Sequence, residues 1–337
     1  MSKRPSPISA TVDFDAAGVQ HGFLKLPISD DESAWGAVMI PVTVVKNGEG
    51  PTALLTGGNH GDEYEGITSL MKLSSSLKAE DVSGRVIIVP IMNVPAAMAG
   101  KRTSAMDGGN LNRSFPGDPD GTVTEKIADY FTRVMVPMSD VVLDLHSGGR
   151  TLDIISFGAS HVLDNADQQS QALAGAKAFG APYAMTMFEL DAAALFDTAV
   201  ESQGKIFVAT ELGGGGTSTP ESMAITERGV RNFLIHYGLL KGHVEMPAEP
   251  QVYLDMPDAS CYVQSEHSGL LELTYALGDH VAKGDVIARV YDMTRSGTPP
   301  VEYRAERDGI LMGRRFPALV NMGDTIAVIA DVVDSLD

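Results

Sequence analysis

The sequence is poor in the residues that would commit it to several large classes of protein. Cysteine occurs once, at Cys261, which excludes an internal disulfide and a metal centre built on several thiolates. Basic residues are scarce: 25 Lys and Arg stand against 44 Asp and Glu, for a formal net charge of −19. A field of that sign repels phosphate backbones and anionic lipids, so nucleic acid and membrane surfaces are disfavoured as partners. No apolar run reaches the roughly 18 residues of a membrane-spanning helix. The amino end, MSKRPSPISATVDFD, lacks the apolar core of a secretory signal. The expectation is a soluble, cytoplasmic protein.

What is present is a chain of 337 residues with 44% hydrophobic and 20% charged residues, enough to bury one large or two smaller cores. From about residue 50 to 240, short apolar runs alternate with helical patterns. The runs at 52–58, 85–93, 141–147 and 205–214 are rich in Val, Ile and Leu and read as buried strands. Helical spacing joins Ile67, Leu70, Met71 and Leu77, and again Ile127, Phe131, Val134 and Met135, with Thr122 or Thr124 as the cap of the second helix. An Ala-rich helix over 166–179 ends at Gly180, and a later one ends at Gly238. This alternation implies an α/β fold: a mostly parallel mixed sheet covered by helices on both faces, with its ligand crevice at the carboxyl ends of the strands.

The pattern changes at 242–260, a proline-punctuated stretch read as a linker or crossing strand. Beyond it, 268–292 and 308–331 repeat one theme: a glycine, two apolar residues, a gap, then Gly-Asp and an apolar strand. The Gly-Asp pairs read as tight turns. The expected division is therefore a catalytic α/β domain over 1–245, its first 45 or so residues an extension or edge β element, and a small all-β C-terminal domain over 246–337.

The sharpest motif is GGNHGDEYEG at 57–66, where His60 and Glu63 lie three residues apart between a strand and a helix. At a helix start that spacing lets an imidazole and a carboxylate converge on one cation. The glycines of the motif, Gly57, Gly58 and Gly61, would let backbone approach a bound group. A third ligand is expected from another strand end, and VVLDLHS offers His146. Two histidines and a glutamate with an open fourth position form a catalytic zinc set; the competing reading has His60 capping the helix and His146 buried in the core. Asp144, on the same strand face as His146, either orients that ligand or is a buried structural carboxylate.

Taken in order, HGDE, NLNRSFPG, DLHSG and TELGGG resemble the aspartoacylase and succinylglutamate desuccinylase family, relatives of the zinc carboxypeptidases. The similarity covers roughly residues 50 to 330. It implies one zinc ion per chain on His60, Glu63 and His146, and Glu211 as general acid/base. It also implies that Asn112 and Arg113 grip a substrate carboxylate, and that an upstream arginine, for which Arg102 is the candidate, stabilises the oxyanion. The implied activity is hydrolysis of the amide of a small N-acyl amino acid. Overall similarity, rather than any motif, points to the subgroup that deacetylates N-alpha-acetyl-L-2,4-diaminobutyrate in ectoine breakdown. The alternatives are a zinc carboxypeptidase acting on short peptides and a catalytically silent binding protein.

A free amine on the substrate would call for a carboxylate in the pocket; Glu189 and Asp191 are candidates, though equally readable as surface charge. His161, His236, His243, His267 and His280 lack partners at ligand spacing and read as surface or packing residues, and Cys261 as inert. The four glycines 213–216 read as a flexible loop without the Lys-Ser/Thr of a phosphate loop. The tail resembles half of a biotinyl or lipoyl module, but 292–306 has no lysine to carry a cofactor arm. In the family such a tail packs on the catalytic domain, narrows access to the metal and in some members helps dimers form, so a homodimer is among the expectations.

Overall fold

The computed structural model describes residues 4–31, 33–187 and 194–336, and the candidates Glu189 and Asp191 lie outside them. The expected α/β architecture is present: a large mixed sheet with helices on both faces, and a separate four-stranded antiparallel sheet in the C-terminal region. The middle of the large sheet runs, in spatial order, Gly36–Asn47, Gly84–Val89, Thr52–Gly57, Val141–His146, Ile206–Glu211, Phe157–His161, Tyr183–Met187 and Val252–Asp255. Thr52–Gly57, Val141–His146 and Ile206–Glu211 are adjacent and parallel, so their carboxyl ends open on the same edge.

The sequence of these strands explains why helices must cover both faces. Successive apolar residues point to opposite sides. Leu54, Ile87, Val142 and Phe207 enter one core with Phe131 and Phe196, while Leu55, Ile88, Leu143 and Val208 enter the other with Leu70, Phe179 and Phe233. Two of the helices are punctuated as the chemistry of their ends requires. Thr122 accepts from Glu125 N, and the Glu125 carboxylate accepts from Thr122 N in return, a reciprocal cap that selects Thr122 over Thr124. Asn165 caps Ala166–Phe179, and Gly180 ends it with φ of 74°.

The N-terminal residues form a long hairpin, Gly18–Ile28 with Gly36–Asn47, that continues the sheet beyond Gly84–Val89. The 242–260 stretch supplies a crossing strand: Val252–Asp255 pairs parallel to Tyr183–Met187 and antiparallel to Thr325–Val333. The two related C-terminal stretches each hold a strand, a short strand and a strand, Gly269–Leu273 to Val286–Tyr291 and Gly309–Arg315 to Thr325–Val333. Their Gly-Asp turns share one device. The carboxylates of Asp279, Asp285 and Asp324 each accept the backbone N–H three residues earlier, from Ala276, Ala282 and Asn321, beside Gly278, Gly284 and Gly323 at positive φ.

One close approach sets the site's scaffold. A Cβ at Gly66, in the first turn of Tyr64–Ser76, would lie 2.6 Å from Leu145 Cβ and 2.9 Å from Leu145 O, immediately before His146. Gly66→Ala is therefore expected to push helix and strand apart and to cost about 1–3 kcal/mol. Urea or thermal denaturation measures this, and unchanged stability would mean that the contact is not tight.

Candidate functional site

Three parallel strands deliver the site. The loop after Thr52–Gly57 carries His60 and Glu63, Val141–His146 ends in His146, and Ile206–Glu211 ends in Glu211, which is the direct register partner of His146. Neighbouring strands lie about 4.8 Å apart, so these strand ends confront one another without any long side-chain reach. The glycines of the His60 loop make room for the protein's own backbone rather than for a bound group: a Cβ at Gly61 would lie 2.1 Å from the carbonyl carbon of Ala96.

The Glu63 side chain, 3% exposed, stands between the two imidazoles, with Oε1 2.7 Å from His60 Nδ1 and Oε2 2.9 Å from His146 Nδ1. Ser147 N donates to Oε2 as well, at 3.2 Å. Asp144 is fully buried and faces the other nitrogen of His146 at 2.8 Å, while its carboxylate accepts from Thr56 Oγ1 and Asn59 Nδ2. Asp144 thus orients the His146 ring from behind.

Electrostatics follow from this packing. Burial pushes the His60 imidazole toward its neutral form, against the pull of Glu63. At His146 burial acts the same way, but Asp144 and Glu63 outweigh it and hold a proton well above the ordinary histidine range. Burial opposes ionisation of Glu63, and the two histidines prevail, leaving it well below the usual carboxylate range. Two carboxylates that retain a proton on an imidazole would favour a divalent cation in the same place.

The donor set fits a metal. Ligand atoms of His60, Glu63 and His146 lie within 4.8 Å of one another, and the buried His60 Nε2 has no hydrogen-bond partner among the described residues. Two imidazoles and one carboxylate are a zinc-type set with room for a further ligand.

The other expected residues line the same cavity, of about 220 Å³. Arg102 reaches Glu63 Oε1 with Nη1 at 3.4 Å. Asn112 accepts from Phe196 N through Oδ1 at 2.9 Å, which leaves its amide nitrogen as a donor, and Arg113 Nη1 donates to the Asn112 carbonyl at 2.7 Å. Glu211 Oε2 is buried without a partner among the described residues, and burial, reinforced by the charge of Glu63, pushes Glu211 up to about 8 despite His146 and Arg102.

Several neighbours escaped the sequence reading. Glu65 is 1% exposed beside Ser222, and burial pushes it up to about 7. His161, read as surface or packing, is buried and lines the cavity, its Nδ1 2.8 Å from Glu201 Oε1. Asp197 lines it too. The clue was the alternation of Phe157, Ala159 and His161, which is too short to identify a strand without its partner.

The glycines 213–216, read as flexible, are instead a fixed ribbon. All four have positive φ; Gly213 O accepts from Gly148 N and Ile154 N, and Gly215 N and Gly216 N donate to Leu152 O and Gly149 O. Cys261 is buried beneath Arg307, and burial pushes its thiol up, in keeping with an inert residue.

Residues 49–237 match the succinylglutamate desuccinylase/aspartoacylase catalytic domain. The chain is 84% identical over 334 residues to the N-alpha-acetyl-L-2,4-diaminobutyric acid deacetylase of Halomonas elongata, covering 99% of this chain and 98% of that protein. Among solved structures it is similar to the product-bound ectoine utilization protein EutE (DoeB) of Ruegeria pomeroyi, with 57% identity and a TM-score of 0.95 over 97% of this chain and all of that one. A succinylglutamate desuccinylase of Silicibacter sp. TM1040 superposes with the same TM-score at 55% identity, covering 98% of this chain and 100% of that one. With a matching catalytic domain and relatives similar from end to end, the chain belongs to the succinylglutamate desuccinylase/aspartoacylase family.

Proposed function

We propose that this protein is a zinc-dependent deacylase that hydrolyses the amide of a small N-acyl amino acid, N-alpha-acetyl-L-2,4-diaminobutyrate in ectoine breakdown. The observation that carries the reading is the convergence of His60, Glu63 and His146 with Glu211, Arg102, Asn112 and Arg113 on one cavity. The 84% identity to a deacetylase of that substrate supports the choice of acyl amino acid. A cavity of about 220 Å³ suits a small molecule better than a peptide, which sets the carboxypeptidase reading second. The lone buried thiol of Cys261 accords with a reducing cytoplasm. Residues 1–245 would form the catalytic unit and 246–337 the β module that narrows its approach.

His60, Glu63 and His146 would hold the ion, which when bound supplies Lewis acidity to water and to the scissile carbonyl. Glu211 removes a proton from the attacking water and later returns it to the departing nitrogen. Its raised affinity for protons suits both halves of that cycle. Arg102 donates toward the carbonyl oxygen as it gains charge. Asn112 and Arg113 fix the substrate's carboxylate, the guanidinium by two parallel hydrogen bonds, so that the amide is presented in one orientation.

Two measurements bear on these roles. Glu211→Gln is expected to keep stoichiometric zinc while losing at least about 100-fold in kcat, whereas His146→Ala loses metal and activity together. Elemental analysis beside turnover separates them, and equal metal loss in both variants would remove Glu211 from the role of base. Because Glu211 must be ionised to accept a proton, and a bound cation pulls its affinity for protons down from about 8, kcat/KM should rise with pH along an acid limb whose midpoint lies below 8. A profile flat from about pH 5 upward would contradict this assignment.

A further inference from the structure

Beyond the metal end, the cavity floor is laid by two antiparallel strands. Ala209 and Ala159 are register partners, as are Glu211 and Phe157, and all four line the cavity. Alternation along each strand carries the same face on to Phe207 and His161, whose rings stack at 6.0 Å. The two alanines leave space where larger side chains would close the trough. At its far end stands the helix Phe196–Glu201, which presents Asp197 and, one turn later, Glu201 in contact with His161.

Asp197 is 8% exposed and lines the cavity. Its hydrogen bonds all come from Thr198, whose backbone N–H and hydroxyl donate to Oδ1. Oδ2 has no protein partner among the described residues and no ion pair, yet it is not sealed from the cavity. The other carboxylates that line the cavity are otherwise engaged: Glu63 by two imidazoles and Arg102, and Glu211 by the proton transfers of the proposed reaction. A carboxylate in so enclosed a place is costly unless something cationic meets it.

The cavity is also two-signed. Arg102, Arg113 and Asp197 all line it. The arms are tied together, because Asn112 Oδ1 accepts from Phe196 N, next to Asp197, and Phe115 N donates to Ala194 O. Asp197 is thereby held next to the loop that carries Asn112 and Arg113.

We propose that Asp197 is the specificity-determining residue that receives the side-chain ammonium of the substrate, and so restricts the enzyme to N-acyl amino acids with a short amine-bearing side chain. The inference rests on the deacylase reading above. The test uses zinc-loaded protein and two substrates of one skeleton, N-alpha-acetyl-L-2,4-diaminobutyrate and N-acetyl-L-2-aminobutyrate, which lacks the amine. Wild type should prefer the amine by about 100-fold or more in kcat/KM. Asp197→Asn should lose about 30- to 100-fold on the amine substrate, mainly in KM, and stay within about threefold on the other.

Equal losses on both substrates, or an unchanged preference, would overturn this proposal while leaving the deacylase intact. A wild type that turned over neither substrate would overturn the deacylase reading and this proposal with it. Should the variant fail to fold, product inhibition of wild type decides: L-2,4-diaminobutyrate should inhibit far more strongly than L-2-aminobutyrate, and equal inhibition would overturn the assignment.

Discussion

The carboxylate of Glu63, buried between His60 and His146, is the constraint to which the rest of the molecule answers. Burying an anion is costly unless it is paired and hydrogen-bonded, and removing one partner costs more than the pair contributes. The partners here come from separate parts of the chain. His60 shares the loop of Glu63, but His146 and Ser147 N arrive at the end of a strand more than 80 residues later. The parallel register of Thr52–Gly57 with Val141–His146, and the missing side chain at Gly66, bring them into contact. Fold and site are therefore one requirement.

A second tension runs through the cavity. The chain carries a net charge of −19, yet arginines line the cavity beside the buried carboxylates. Burial together with like charge raises the proton affinity of Glu211, and that of the neighbouring Glu65 chiefly through burial, while His146 and Arg102 pull Glu211 back. A carboxyl so balanced can change protonation within a catalytic cycle at near-neutral pH. A solvated strand-end glutamate could not, because its proton affinity would be too low to protonate a leaving amine effectively.

Much of this was legible in the sequence because it depends on periodicity and end chemistry. The four apolar runs became strands since only a two-sided sheet buries Leu54 together with Leu55, or Val142 together with Leu143. His60, Glu63, His146 and Glu211 could be placed because strand carboxyl ends in such a sheet share an edge. What could not be read depends on long-range pairing. Nothing local in FGASH announces a strand antiparallel to Ile206–Glu211, so His161 passed for a packing residue and the cavity's far wall stayed hidden. The glycine run 213–216 signals conformational freedom in sequence, but hydrogen bonds from Gly148 and Ile154 remove that freedom in the fold.

Those same bonds explain how the C-terminal strands take part in the site without lining its cavity. The loop after His146 forms Leu152–Ile154, which pairs with Gly309–Arg315, and Asp153 is clasped by both Nε and Nη2 of Arg314. Gly213, two residues beyond Glu211, accepts from both ends of that loop. The segments leaving His146 and Glu211 are thus joined to each other and to the C-terminal strand Gly309–Arg315. Relative movement of His146 and Glu211 would have to break a ladder anchored outside the α/β sheet's centre. The proton transfers proposed for Glu211 would require its place to be held to a fraction of an ångström, and backbone pairing supplies that constraint at little cost in side-chain entropy.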